Sequence, residues 1–518
     1  MAIGLFSSLL LWAASPRPVQ AAGELEVRLD GMALPISIDD LGAWVRSGGA
    51  RSSELGAWFN LLEAESRKGV IDLLQAPLIN DSSMARQILN SWAGRQLLDQ
   101  VGDLVQVDDE TTGLTVQTTL EELLAQRPEV TTLELLEALP AKKVRLDLDA
   151  LLEVAADWRQ QLERQQLLVE RLGRQPLSSE SLTQATESAA SVDGRLERLA
   201  LPVPHRERDL QLQLWLPDAA LEGQRRSWLV LMPGLGGSPD HFAWLGRALS
   251  RNGWPVVVLE HPGSDAVAVQ ALLEGRRPPP GAEVLPERLR DLQEVLSAQG
   301  RGDLPLSGDQ LVLVGHSLGA LTAFFASGAQ PEQGLGRRCR TVMDDLPLSN
   351  LSRLLQCQIQ DVALPGFPPP ASLAGVVGLN SFGSLLWPRR VPVASDVPVL
   401  LSGGSLDLIT PPLSEQLGLL RALPANPGTR AVLVEGASHF SPVRVEGQSG
   451  GQGDDLFQLI TVGNALVVRL EPRIIGDAGI AEHVGSKPHP LTLILDRDQN
   501  SFAIPTHIGP VRCNGRMP

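Results

Sequence analysis

Two hydrophobic rhythms divide the chain. From Glu24 to about Arg145 apolar positions recur mostly at helical spacing: Leu41, Trp44 and Val45 share a face, and Leu55, Trp58, Phe59 and Leu62 stand at i, i+3, i+4 and i+7. Val70–Leu74, Ile88–Leu98, Leu120–Leu124 and Leu133–Leu139 read the same way, with Thr119 ahead of Glu122 as a capping pair. The pattern predicts a small all-helical domain over residues 22–150. It gathers no His, Cys or carboxylate cluster, so packing and positioning are its expected roles. Leu146–Leu172 is a longer amphipathic helix, and Ser178–Asp193, small, polar and without a period, reads as a linker, so that 151–195 is helix and linker.

From about Leu201 the period changes. Leu210–Leu216 alternates, and Trp228–Met232, Val256–Leu259, Leu311–Val314, Val376–Leu379, Val399–Leu401 and Ala431–Val434 are short apolar runs. Helical segments follow most of them: Asp240–Leu249, Pro286–Leu296, Leu318–Ala326 and Leu413–Leu423. Strands apolar on both faces, alternating with helices, predict an α/β domain over 196–446 whose mostly parallel sheet is covered by helices on both sides. Gly447–Gly453 is a flexible break, and the tail 447–518 is weakly patterned and receives no role.

Composition narrows the function. Of 518 residues, 43% are apolar and 20% charged, which excludes a wholly disordered chain and a polytopic membrane protein. The net charge of −16 argues against nucleic acid as a partner, since phosphate needs a surplus of Lys and Arg. There is no Tyr, so Tyr drops out of every catalytic scheme.

Ile3–Ala14 is an apolar run too short to span a bilayer. Val19 and Ala21 suit signal-peptidase cleavage after Ala21, so 1–21 reads as an export signal to the periplasm, a lumen or the medium, although no Lys or Arg precedes the run. The other reading of this run is a buried apolar helix. Cys339, Cys357 and Cys513 show no metal-type spacing. Cys339 and Cys357 lie 18 apart within one insertion; a disulfide and two free buried thiols both remain open, and export favours the bridge.

The chemistry concentrates where one strand ends. Gly315-His316-Ser317-Leu318-Gly319 follows the strand Leu311–Val314 and opens a helix, the setting in which G-x-S-x-G lifts a serine above the carboxyl end of a sheet. A serine hydroxyl needs a base, and the base an orienting acid. Eight His are available: His205, His241, His261, His316, His439, His483, His489 and His507. His316, next to the serine in a tight elbow, is expected to point away from it. His439, just after Ala431–Val434, is the expected base, and Asp407, just after Val399–Leu401, the expected acid; Asp344 and Asp345 are runners-up that follow no strand. The order Ser317, Asp407, His439 is the one α/β-hydrolases use. A tetrahedral oxyanion would need two backbone donors. Leu318, after the nucleophile, supplies one, and the glycine-rich loop Met232–Ser238 the other, with Leu235 first and Gly236 next. That loop lacks the G-x-x-x-x-G-K-[ST] of a phosphate cradle.

These residues carry a resemblance. PGLGGS at 233–238, EHPGSDA at 260–266, GHSLGA at 315–320, SGGSLD at 402–407 and GASHF at 436–440 resemble the α/β-hydrolase superfamily, nearest to platelet-activating-factor acetylhydrolase and dienelactone-hydrolase-type members. Residues 24–150 resemble the uncharacterised N-terminal domain attached to such hydrolases in cyanobacteria. Pro233 departs from the pattern, standing where many members place a His. The resemblance implies a serine hydrolase of carboxylic esters, short-chain acyl phospholipids among them, needing no metal or cofactor. Its partners would be a small-molecule or lipid ester and, transiently, a membrane surface. An acyltransferase with the same acyl-enzyme and a non-catalytic binding protein on a hydrolase fold are the alternatives. Ala329–Pro398 separates nucleophile from acid, and its apolar residues read equally as a lid over an acyl pocket or as ordinary packing.

Overall fold

Short apolar runs such as Val256–Leu259 and Val376–Leu379 have no polar face to give to water, so they become strands covered on both sides. The computed structural model describes residues 23–443, apart from 30–31, 51–53, 60–63, 76, 80–90, 109–112, 128, 174–194, 219–225, 252, 345–349 and 435, together with the strand Leu493–Asp496. The signal-like run, the site after Ala21, the linker Ser178–Asp193, Gly447–Gly453 and Cys513 lie outside the described residues. The chain divides into two compact units, Met1–Glu153 with Glu274–Pro278, and the remainder.

The first unit corrects the expectation of an all-helical domain. Strands β1 (Glu24–Leu29) and β2 (Met32–Ser37) pair antiparallel; β1 also pairs parallel with β6 (Lys143–Asp147), and β6 antiparallel with β4 (Val105–Val107). The short strands β3 (Pro77–Ile79) and β5 (Val130–Thr131) form a second sheet. The reason is visible in ELEVRL and KVRLD, which alternate charged and apolar residues at the period of a half-buried strand. Leu25 and Val144 enter the core, while Glu26 on the other face takes Lys143 and Arg145 as partners.

Helices α1 (Ile38–Arg46), α2 (Glu54–Phe59), α3 (Ala64–Gln75), α4 (Trp92–Leu104), α5 (Leu114–Gln126) and α6 (Thr132–Ala138) complete this unit. On α1 the expected face of Leu41, Trp44 and Val45 is buried, and Trp44 stacks on Phe59 at 4.3 Å. The expected capping pair is corrected too: Thr119 and Glu122 lie inside α5, whereas Thr131 and Glu134 form the capping box that starts α6. Helix α7 (Leu148–Gly173) follows β6 directly.

The second unit holds a nine-stranded sheet in the order β15-β14-β13-β12-β11-β9-β10-β8-β7. Its strands are β7 (Arg195–Leu201), β8 (Leu210–Leu216), β9 (Ser227–Met232), β10 (Val256–Leu259), β11 (Gln310–His316), β12 (Leu373–Leu379), β13 (Val399–Gly404), β14 (Arg430–Val434) and β15 (Leu493–Asp496). From β10 through β14 neighbours run parallel; β7, β8 and β15 are antiparallel. β7 escapes the apolar pattern because it is an edge strand carrying Arg195, Glu197 and Arg198. The tail, given no role by sequence, returns to the sheet at β15.

Helices α8 (Ala243–Arg251), α9 (Ala266–Leu273), α10 (Leu285–Arg301), α11 (Leu318–Ala326), α12 (Leu335–Asp344), α13 (Ser352–Gln358) and α14 (Gln416–Ala422) connect the strands. One core cluster joins Leu231, Val258, Val314, Val377, Leu400 and Val432 of the sheet to Leu245 and Leu249 of α8. Among the described residues no helix is long and apolar enough to cross a membrane.

Described parts of the insertion are packed. Ser352, Leu354, Gln356 and Cys357 of α13 are buried, and Trp387 lies against Phe324 and Phe325 of α11. Buried Glu415 accepts from Asn350 at 2.6 Å, from the Gly383 and Ser384 amides at 2.9 and 3.0 Å, and from the Ser384 hydroxyl at 2.8 Å. Cys339 on α12 and Cys357 on α13 are joined by a disulfide, with Cα atoms 5.5 Å apart. Closing a loop of this length restricts the unfolded chain by about 3 kcal/mol. Reductant, or Cys339→Ser with Cys357→Ser, should therefore lower the thermal midpoint by several degrees in a calorimetric scan. An unchanged midpoint would show that the bridge constrains nothing the fold does not already hold.

Candidate active site

The elbow is built by close approach. β11 ends at His316, α11 starts at Leu318, and Ser317 between them adopts φ 52° and ψ −117°, a conformation that costs a non-glycine residue of order 1–3 kcal/mol. The turn closes only because its flanks lack side chains: a Cβ on Gly319 would stand 2.0 Å from the Met232 carbonyl oxygen, and one on Gly315 2.2 Å from the Gly319 backbone. The Ser317 amide donates to the Leu379 carbonyl at 2.9 Å, anchoring the elbow to β12.

The structure brings Ser317, His439 and Asp407 together. His439 Nε2 is 3.1 Å from Ser317 Oγ, and His439 Nδ1 is 2.9 Å from Asp407 Oδ2. All three are buried. Two hydrogen bonds lace the acid and base loops: the Leu406 amide donates to the Ala437 carbonyl at 2.9 Å, and the Gly436 amide to Ser405 Oγ at 2.8 Å. Of the runner-up acids, Asp344 ends α12 and Asp345 lies outside the described residues, as do His483, His489 and His507.

Asp407 is a fully occupied acceptor. Oδ2 takes His439, Thr410 Oγ1 at 2.6 Å and Asn380 Nδ2 at 2.7 Å; Oδ1 takes the Ile409 and Thr410 amides at 2.9 and 2.8 Å. Burial pulls its pKa up, but His439, Thr410 and Asn380 favour the charged form more strongly and hold it at about 2. Asn380 and Thr410 are neighbours of Asp407 that sequence reasoning missed. The signals were available: a polar residue closing an apolar strand in Val377-Gly378-Leu379-Asn380, and a hydroxyl three residues after the acid. Asn380 also sits at φ 46°.

His316 follows expectation only in part. It does not bond to Ser317 but donates Nε2–H to the His439 backbone carbonyl at 3.0 Å, its ring 5.1 Å from the His439 ring. The glycine loop packs on the same side chain, for a Cβ on Gly234 would meet His316 Nδ1 at 2.8 Å and the Ser317 Cβ at 3.1 Å. Of the expected oxyanion donors, Leu318 heads α11, where the helix terminus favours negative charge. The Gly236 expectation is corrected: its N–H donates to the Ser264 carbonyl at 2.8 Å and is spent. The loop donor left is Leu235, at the crown of a turn closed by Gly237 N–H to the Gly234 carbonyl.

Burial, then the charge of His439, pulls His316 down to about 3; burial, then Arg288, pulls His261 down to about 4. Both folded values lie below the ordinary imidazole value. The stability these neutral rings contribute is therefore complete above about pH 6.5 and is lost as pH falls towards 4 and 3. At pH 4.5 each costs about 2–3 kcal/mol. The urea midpoint should fall steadily from pH 7 to pH 4.5; a flat profile would show that the rings protonate freely within the fold.

A mostly parallel sheet with a strained serine at the strand–helix elbow is the setting in which α/β-hydrolases place G-x-S-x-G. Residues 21–147 match a family model described as an alpha/beta hydrolase of unknown function (DUF1400). No curated protein matches the chain. The matched segment precedes the unit that carries Ser317, so the family match and the site geometry rest on different parts of the chain.

Proposed function

We propose that this protein is a serine hydrolase of carboxylic esters, acyl phospholipids among them. The observation that carries the reading is the buried hydrogen-bonded line from Ser317 Oγ through His439 to Asp407. His439 Nδ1–H is committed to the carboxylate, which leaves Nε2 as the acceptor for the serine proton. Ser317 Oγ attacks the ester carbonyl while its proton passes to His439 Nε2. The oxyanion is held by the Leu235 and Leu318 amides, each worth about 3 kcal/mol in the barrier. Collapse expels the alcohol, protonated by His439. Water then attacks the acyl-enzyme with the same imidazole as base, releasing the acid and restoring Ser317.

The surroundings support an apolar acyl group. Leu235 lies in the oxyanion loop and Leu406 and Phe440 adjoin the acid and the base in sequence, and they are exposed, Leu406 by 54% and Phe440 by 60%. Large apolar side chains left in water at positions in or next in sequence to the candidate site residues suit an acyl chain and a transient contact with a lipid surface. The Cys339–Cys357 bridge suits an oxidising compartment, and with it export.

The test is labelling of the intact protein with a fluorophosphonate probe, followed by turnover of p-nitrophenyl esters from C2 to C16. We expect one adduct, on Ser317, and hydrolysis of part of the series. A folded protein that is neither labelled nor active supports instead the reading of a binding protein on a hydrolase fold.

A further inference from the structure

Helix α10 buries a guanidinium. Arg288 is 1% exposed, and its donors reach three different segments: Nη2 to the Pro233 carbonyl, Nη1 to Ser264 Oγ at 2.8 Å, and Nε to Thr322 Oγ1 at 3.1 Å. Each acceptor leads towards the oxyanion donors. Pro233 opens the glycine loop; the Ser264 carbonyl holds that loop a second time through Gly236 N–H; and the Thr322 hydroxyl donates to the Leu318 carbonyl at 2.8 Å. In a trans peptide the C=O and the following N–H point in opposite directions. Arg288 on the Pro233 carbonyl therefore fixes the plane from which the loop starts.

Nothing in simple packing accounts for a cation here. A buried charge is costly unless paired. Among the described residues Arg288 forms no ion pair with a carboxylate; Asp291, one turn along α10, is occupied by Arg206, His205 and His261. Arg288 rests on neutral oxygens instead, and its planar fork directs three different nitrogens to three separate segments, which a single ammonium nitrogen does not. Pro233 offers the loop no side-chain donor of its own, so the anchor comes from behind, through its carbonyl.

We infer that Arg288 is the positioning residue of the oxyanion hole, gripping the Pro233–Gly236 loop and, through Thr322, the start of α11 so that the Leu235 and Leu318 amides converge. The inference rests on the serine-hydrolase reading and adds to it a residue that touches no substrate.

Full-length Arg288→Lys and Thr322→Val are the test, each compared with wild type for kcat and KM on p-nitrophenyl acetate and for inhibition by a trifluoromethyl ketone, which forms a tetrahedral oxyanion on the serine. Arg288→Lys keeps the charge and loses the fork. It should lower kcat by about 10²-fold, as loss of an oxyanion donor does, with KM within about threefold, and weaken the ketone by the same factor as kcat. Thr322→Val should act in the same direction by about tenfold. The pH midpoint of kcat/KM should not move, because His439 and Asp407 are untouched. Wild-type kcat and ketone affinity in a folded Arg288→Lys, or a rise in KM alone, overturns the inference. Should Arg288→Lys fail to fold, Thr322→Val decides on the same criteria. A wild type that no probe labels at Ser317 overturns the hydrolase reading and this inference with it; a labelled wild type with unaltered variants overturns the inference alone.

Discussion

Ser317→Ala is expected to lower kcat/KM for any accepted ester by at least about 10³-fold, leaving the thermal midpoint nearly unchanged. The substitution deletes one oxygen. That oxygen's recorded contact is with His439 Nε2, and the backbone strain at φ 52° is the same for Ala as for Ser. Stability therefore has little to lose. On the proposed route catalysis has nearly everything to lose, because no acyl-enzyme could form, and what would survive is the polarisation of a bound carbonyl by the Leu235 and Leu318 amides. Initial rates across the ester panel, with a melting curve on the same preparation, separate the two effects. Retained turnover in the folded variant would mean that another group attacks, or that His439 drives water directly at the ester, and the acyl-enzyme reading would fail.

The elements around this serine were readable from the chain because each is a local consequence of its own residues. An apolar run such as Leu311–Val314 ending in Gly-x-Ser-x-Gly has few ways to fold, and β11, Ser317 and α11 follow directly. Asp407 and His439 were found the same way, each one short loop beyond a buried strand. What stayed hidden depends on segments distant in sequence. Arg288 looks like one of many charged positions on an amphipathic helix until the loops after β9 and β10 and helix α11 bring it their acceptors. His316 becomes informative only once the His439 carbonyl, 123 residues later, meets its ring nitrogen. The first unit was misread for another reason: its helices have a strong period, whereas ELEVRL and KVRLD are five or six residues long and their alternation is brief. The Gly236 N–H failed as a donor because the loop after β10 supplies a carbonyl that nothing in Met232–Ser238 announces.

Asp407→Asn is expected to cost about 10⁴-fold in kcat, more than its change of two atoms suggests. Every acceptor site of the carboxylate meets a donor: His439, Thr410 and Asn380 on Oδ2, and two backbone amides on Oδ1. An asparagine must put its NH₂ against one of these sets, whichever way the amide turns. Facing Oδ1, it sets two hydrogens against fixed backbone N–H groups. Facing Oδ2, it is relieved most easily by a change of the His439 tautomer, which moves the ring hydrogen to Nε2 and removes the acceptor that Ser317 requires. Stability falls as well. A carboxyl held at about 2 rather than its ordinary value of 3.8 contributes about 2 kcal/mol of folding energy at neutral pH, present above about pH 4 and lost as pH drops through 2. The amide forfeits that contribution at every pH. Asp407→Asn should therefore show slow fluorophosphonate labelling at pH 7, a kcat near the background, and a urea midpoint below wild type at pH 7 but converging with it near pH 2. Activity within tenfold of wild type, in a variant whose urea profile shows this loss, would mean that the imidazole is oriented by Thr410 and the base loop alone, and that the acid serves the fold rather than the reaction.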